Sequence, residues 1–212
     1  MPNKPQKHFR KTVSDLWTLF CDGVLFKNPV LIRAISLCPV IAASYTLKHG
    51  VTLAACTAIV LVILSPASSL AGRFIPAWLM PPVYTLLAMG IVTGEMVLLR
   101  EISPAIQMSL FLFIPLIAVN SLISTRAGRF AVNNSFPVAL VDALANAIGF
   151  AFVICIASAL KEMAALGSLW GINMPWPNRF PAASHPFGAL ILIGFMAALV
   201  QGVNHFVAKR RK

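Results

Sequence analysis

Long apolar runs separated by short polar connections organise most of the chain. Six of them, at about 30–48, 51–71, 75–99, 102–125, 137–160 and 186–208, are each near the length an α-helix needs to cross a bilayer core. The second, fourth and sixth contain no Asp, Glu, Lys or Arg. The third carries Glu95, the fifth carries Asp142, and the first has Arg33 near its start and Cys38-Pro39 in its interior. The pattern predicts an all-α integral membrane protein with six transmembrane helices. A polar, basic tail (1–29) precedes this 30–208 membrane domain and a basic tail (209–212) follows it. The segment 161–185, with Trp170, Trp176 and several prolines, reads as a cap at the membrane interface.

Composition supports this reading. Of the 212 residues, 58% are hydrophobic and 11% charged, and the mean hydropathy is +0.83. A soluble domain normally carries about a quarter charged residues. The N-terminal segment lacks the apolar core and cleavage site of a secretory signal. The net charge of +11 concentrates at the chain ends, which fits membrane topology and anionic lipid. It forms no basic-aromatic stripe for stacking bases, so nucleic acid is not expected as a partner. With a cytoplasmic N-terminus, twelve of the seventeen Lys and Arg fall in inside segments and four in outside segments. Both termini are therefore expected in the cytoplasm.

Three spans per half place the halves in opposite orientations, the geometry of an inverted-topology repeat. Each half opens with an interrupted helix: SLCPV (36–40) in the first and FIPLIAVNS (113–121) in the second. Proline has no N–H, so Pro39 frees the carbonyl of Ile35 and Pro115 that of Phe111. Matching breaks in two halves point to a site at mid-membrane, although proline kinks are also common in transmembrane helices that carry no site. Asn120 and Ser121 are polar residues in the middle of an uncharged run and require partners there.

Three stretches carry a resemblance. NPVLIRAISLCPVIAA (28–43) is similar to a pattern N-x-x-x-x-x-x-L-G-x-C-P. FIPLIAVNSLISTRAGRFA (113–131) resembles F-I-P-L-I-x-x-N-C-x-x-x-x-R-x-E-A-F-A. PVALVDALANAIGFAFVICIASALKE (137–162) resembles P-x-x-S-x-x-D-G-x-x-x-G-x-G-F-x-x-x-L-x-x-x-x-x-x-R-E, and GSLWG (167–171) the G-T-L-F-G that follows. Together, over roughly residues 25 to 205, they resemble the E-type membrane subunit of the Rnf complex and its relative in the sodium-pumping NADH:quinone reductase. The resemblance implies a multi-pass subunit of the bacterial inner membrane that pairs with a homologous six-helix subunit of opposite orientation. It also implies flavin and iron–sulfur subunits as partners, and electron transfer coupled to sodium or proton movement. Each six-helix subunit would give two cysteines, one per broken helix, to a shared [2Fe–2S] cluster; four thiolates suit such a cluster.

On that pattern Cys38 stands at the first ligand position, and Ser121, next to the matching Asn120, stands at the second, where the family has cysteine. The pattern's glutamate is replaced by Gly128, followed by Arg129. Three readings follow: Ser121 ligates iron through oxygen, the cluster is lost or held differently, or Ser121 is an engineered change. Cys21, Cys56 and Cys155 show no ligand spacing and read as inert thiols. Glu95 and Asp142 are candidates for an ion path. The plainer expectations are that Glu95 reaches water or pairs with Arg100, and that Asp142 pairs with Arg126 or Arg129. The alternatives in function are a divergent scaffold subunit without its own redox centre and a small inverted-repeat secondary transporter.

Overall fold

Leu47–Ala71 (α1), Met80–Ile102 (α2) and Phe136–Leu166 (α6) are each long and apolar enough to span a membrane in the computed structural model, which describes residue 41 and residues 46–71, 75–76, 79–170, 172–173 and 185–210. Between α2 and α6 the chain is broken into pieces: α3 (Pro104–Leu110), α4 (Phe113–Ala118), α5 (Ser121–Thr125), a π-helical turn Arg126–Phe130 and a 3-10 turn Ala131–Asn133. α3 and the run from Phe113 to Asn133 together have the length and polarity of a fourth span, bent by 61°. After α6 come a two-stranded antiparallel hairpin, β1 (Ser168–Leu169) and β2 (Ile172–Asn173), and α7 (Pro186–Arg210). The first expected span, about 30–48, lies largely outside the described residues, as do Cys38 and Cys21.

α1 and α6 form the centre of the molecule. Leu53, Val60, Leu61 and Leu64 from α1 pack with Ala143, Ala147, Phe150, Ile154 and Ala157 from α6, all fully or almost fully buried. Small residues let the two backbones approach, as is usual where packing rather than water drives helix association in lipid. Gly50 is the tightest point: a Cβ built there would lie 2.8 Å from the Cβ of Ser158. Three of the hydroxyls inside this pair bond within their own helices, whereas the buried Ser65 hydroxyl has no hydrogen-bond partner among the described residues. Thr57 donates to the Leu53 carbonyl (2.8 Å), Ser68 to that of Leu64 (2.7 Å) and Ser158 to that of Ile154 (2.7 Å). Pro66 lies inside α1, which nevertheless runs through to Ala71.

Polar contacts tie the two ends of this pair to the rest of the chain. At one end, Ser69 Oγ donates to the Asn134 carbonyl (2.8 Å), bringing the C-terminus of α1 to the start of α6. At the other, Glu162 accepts from the Leu47 backbone N–H (2.7 Å) and from Ser168 Oγ (3.2 Å), and Lys161 Nζ donates to the Ile41 carbonyl (3.1 Å). The sequence reading ends the fifth span at about 160 and puts Lys161 and Glu162 in the interfacial cap 161–185, but α6 carries both and both are 1% exposed. α6 continues past them, and these hydrogen bonds give both buried side chains polar partners. It ends at Gly167, whose left-handed conformation (φ 63°) lets its N–H bond back to the Met163 carbonyl. The chain then turns into the hairpin, where Leu169 pairs with Ile172 and Trp170 is exposed at positive φ.

Candidate functional site: the broken helix and its polar neighbours

The bend after α3 falls at Phe111–Leu112, where Pro115 cannot supply the N–H that would bond the Phe111 carbonyl. A second interruption follows at Val119–Asn120. There Asn120 is extended (φ −63°, ψ 132°), and its side-chain oxygen accepts from the Leu122 N–H (3.1 Å), capping α5. Asn120 is buried, whereas Ser121, the first residue of α5, is exposed. Replacing Asn120 by alanine should cost about 1 kcal/mol by loss of this cap. A lowered thermal midpoint of the detergent-solubilised protein would register it, and an unchanged midpoint would show that the cap does not stabilise the break.

Beyond the break, Arg126 Nη1 lies 3.1 Å from Asp142 Oδ1, joining the π-helical turn to α6. The guanidinium also lies 6.0 Å from the centre of the Phe130 ring. Asp142 therefore serves as the partner of Arg126.

Glu95 departs from both of the plainer expectations. It lies on the buried stripe Tyr84, Ala88, Val92 and Glu95 of α2, only 8% exposed, with neither carboxyl oxygen in a hydrogen bond among the described residues. Arg100 is five residues further on, about 140° around the helix, and is exposed. The Cys56 thiol of α1 lies beside the carboxyl, although the contact falls short of a well-formed hydrogen bond. The carboxyl is thus held between α1 and α2, about two turns from the C-terminal end of α2. Sequence pattern does not single out Cys56 beside Glu95. The spacing of four residues along α2 does place Tyr84, Ala88 and Val92 on one face, and Glu95 continues it.

The structure thus brings together Asn120 with Ser121 at the break, Arg126 with Asp142, and Glu95 with Cys56. Among the described residues no three His, Cys, Asp or Glu side chains converge as a metal site. Cys56 and Cys155 belong to α1 and α6, away from the broken helix in sequence. The donor that the break itself presents is the hydroxyl of Ser121. An exposed residue immediately after a helix break fits, in position, a ligand shared with another chain. In chemistry it differs from a thiolate, being a harder oxygen donor.

Long apolar helices around a broken, polar-capped span define a multi-pass membrane protein. Residues 16–198 match the family model described as Rnf-Nqr subunit, membrane protein. The chain belongs to that family. It is 28% identical over 199 residues, 93% of both chains, to the E-type subunit of the proton-translocating ferredoxin:NAD(+) oxidoreductase complex of Clostridium ljungdahlii. It is similar to the E-type subunit of the ion-translocating oxidoreductase complex of Shewanella piezotolerans (28% identity, 94% of this chain and 93% of that one). The corresponding protein of Vibrio atlanticus is 29% identical over the same shares.

Proposed function

We propose that this chain is an electron-transfer membrane subunit of a redox-driven ion-translocating complex of the Rnf/Nqr type. The observation that carries the reading is the break at Val119–Asn120, which exposes Ser121 at the position of the family's second ligand, in a chain matched to relatives over nearly its whole length. The chain would sit in the bacterial inner membrane with both ends in the cytoplasm, as its Lys and Arg distribution favours. It would pair with a homologous six-helix subunit and contribute Cys38 and Ser121 to a [2Fe–2S] site between them. Such a cluster supplies a one-electron relay inside the membrane. At the described break this chain's part is to hold Ser121 in place: Asn120 caps the break, and the buried Ile114, Ile117, Leu122 and Ile123 anchor the flanking short helices.

The hydroxyl at position 121 also favours a second reading, in which the subunit has kept the architecture and serves as a scaffold without a redox centre. Both readings require partners. Purification of the tagged chain from its native membrane in mild detergent should recover a homologous six-helix subunit together with flavin- and iron–sulfur-bearing subunits. Recovery of the chain as a lone polypeptide that binds a solute would instead support an independent transporter.

Glu95 and Asp142 are the carboxylates proposed for the ion path. Glu95 is the stronger of the two, because its buried oxygens have no hydrogen-bond partner among the described residues, and a charge at that depth needs a proton or a cation beside it. In proteoliposomes containing the complex, Glu95→Gln should sharply lower the ions moved per electron while electron transfer continues. The subunit composition should stay unchanged. An unaltered ratio would take Glu95 off the path.

A further inference from the structure

A cavity of about 310 Å3 opens between the first turns of α2 and the segment that follows the helix break. Its lining combines the apolar Pro81, Ala118, Val119 and Ile123 with the polar Tyr84, Thr85, Ser124 and Arg129, and Gly128. We propose that this cavity binds the phosphate-bearing headgroup of an anionic phospholipid, with Arg129 and Tyr84 as its recognition groups.

Four observations converge on an anion. Tyr84 is 3% exposed, lines the cavity, and its hydroxyl has no hydrogen-bond partner among the described residues, which is a costly arrangement for a buried O–H without a ligand. No acidic residue lines the cavity among the described residues. Arg129 is exposed and makes no ion pair among the described residues, whereas the charge of neighbouring Arg126 is offset by Asp142. Gly128 gives the wall no side chain where the resembling pattern has glutamate. Of the remaining hydroxyls, Thr85 is engaged with the Pro81 carbonyl, while Ser124 lies exposed at the rim. Arginine beside a hydroxyl donor suits a phosphodiester.

Position favours lipid as the source of the phosphate. The cavity lies where α2 begins and just before α6 begins, next to the basic turn, at an end of the bundle. Val119 of the lining, and Leu86 and Leu116 close by in sequence, are exposed apolar residues that acyl chains can cover. Basic pockets between membrane helices commonly take lipid headgroups, and the volume is at the lower limit of small-ligand sites.

The test uses the full chain in its membrane complex, reconstituted in phosphatidylcholine vesicles containing phosphatidylglycerol, then extracted in mild detergent and washed, with the lipid that stays bound counted by native mass spectrometry. Phosphatidylglycerol retained per complex should fall about tenfold in Arg129→Gln and in Gly128→Glu. A Cβ at Gly128 would meet Tyr84 Cδ2 at 3.5 Å, an ordinary contact, so the glutamate changes the charge of the cavity without forcing the backbone. Tyr84→Phe should lower retention less, by the loss of one hydrogen bond, and Arg100→Gln, near the other end of α2, should leave it unchanged. A challenge with millimolar inorganic phosphate separates the two sources. Displacement of the lipid assigns the site to the phosphate group from either source, and no displacement assigns it to the intact lipid. Retention equal to wild type in both Arg129→Gln and Gly128→Glu, or an equal loss in Arg100→Gln, would overturn the proposal.

Discussion

Placing valine at Gly50 is expected to destabilise the chain by overpacking the α1–α6 interface at its tightest point. The Cβ alone would lie 2.8 Å from Ser158 Cβ, and both atoms belong to helices locked together along their length. No rotamer change relieves a contact between two Cβ atoms, so α1 and α6 must move apart. Overpacking of this kind costs about 1–3 kcal/mol, and a backbone shift at the main helix interface places it at the upper end. The loss should appear as a lower thermal midpoint in detergent and as less chain integrated in the membrane. Combining Gly50→Ala with Ser158→Gly should recover much of the loss of Gly50→Ala alone, because the second change removes the side chain that is struck. A Gly50→Val protein as stable as the parent would mean that α1 and α6 do not approach this closely.

The second large effect is expected at Asp142. Alanine there would leave the Arg126 guanidinium, 19% exposed, facing the position of a missing carboxylate. Breaking a fully buried ion pair from one side costs about 3–5 kcal/mol. The partial exposure of Arg126 lets water repay some of that, so about 2–3 kcal/mol is expected. The π-helical turn that carries Arg126 would loosen from α6, which should be visible as faster amide exchange across 126–133. The double variant Asp142→Ala with Arg126→Leu should be less damaged than Asp142→Ala alone, since no stranded charge remains. If the single and double variants lose stability equally, the ion pair is not what fastens the turn.

The helical membrane class is legible in the sequence because lipid imposes a simple requirement. A run of about 20 apolar residues has to satisfy its backbone internally, and a helix does so. The bend at Phe111–Leu112 is also legible, through the N–H that Pro115 lacks. Asn120 stands out as a polar intrusion, but its role as the cap of a five-residue helix depends on where the backbone breaks, which no residue pattern states. Lys161 and Glu162 are harder to read. Charge at the end of an apolar run suggests a helix end in water, yet Glu162 is buried by a partner 115 residues away in sequence. Glu95 misleads for a similar reason. Its nearness to Arg100 in sequence suggests a pair, whereas helical rotation sends the two to different faces and leaves the carboxyl beside Cys56.

An iron–sulfur relay held inside the membrane through Cys38 and the exposed Ser121 is the central claim. The direct measurement is electron paramagnetic resonance of the purified, dithionite-reduced complex, with iron and acid-labile sulfide counted, for the parent and for Cys38→Ala and Ser121→Cys. The expected result is a [2Fe–2S] signal in the parent, its loss in Cys38→Ala while the subunits remain assembled, and a shifted signal and potential in Ser121→Cys as sulfur replaces oxygen. A fully assembled parent complex whose iron and signals are the same in all three proteins would contradict the claim and leave the subunit as a scaffold.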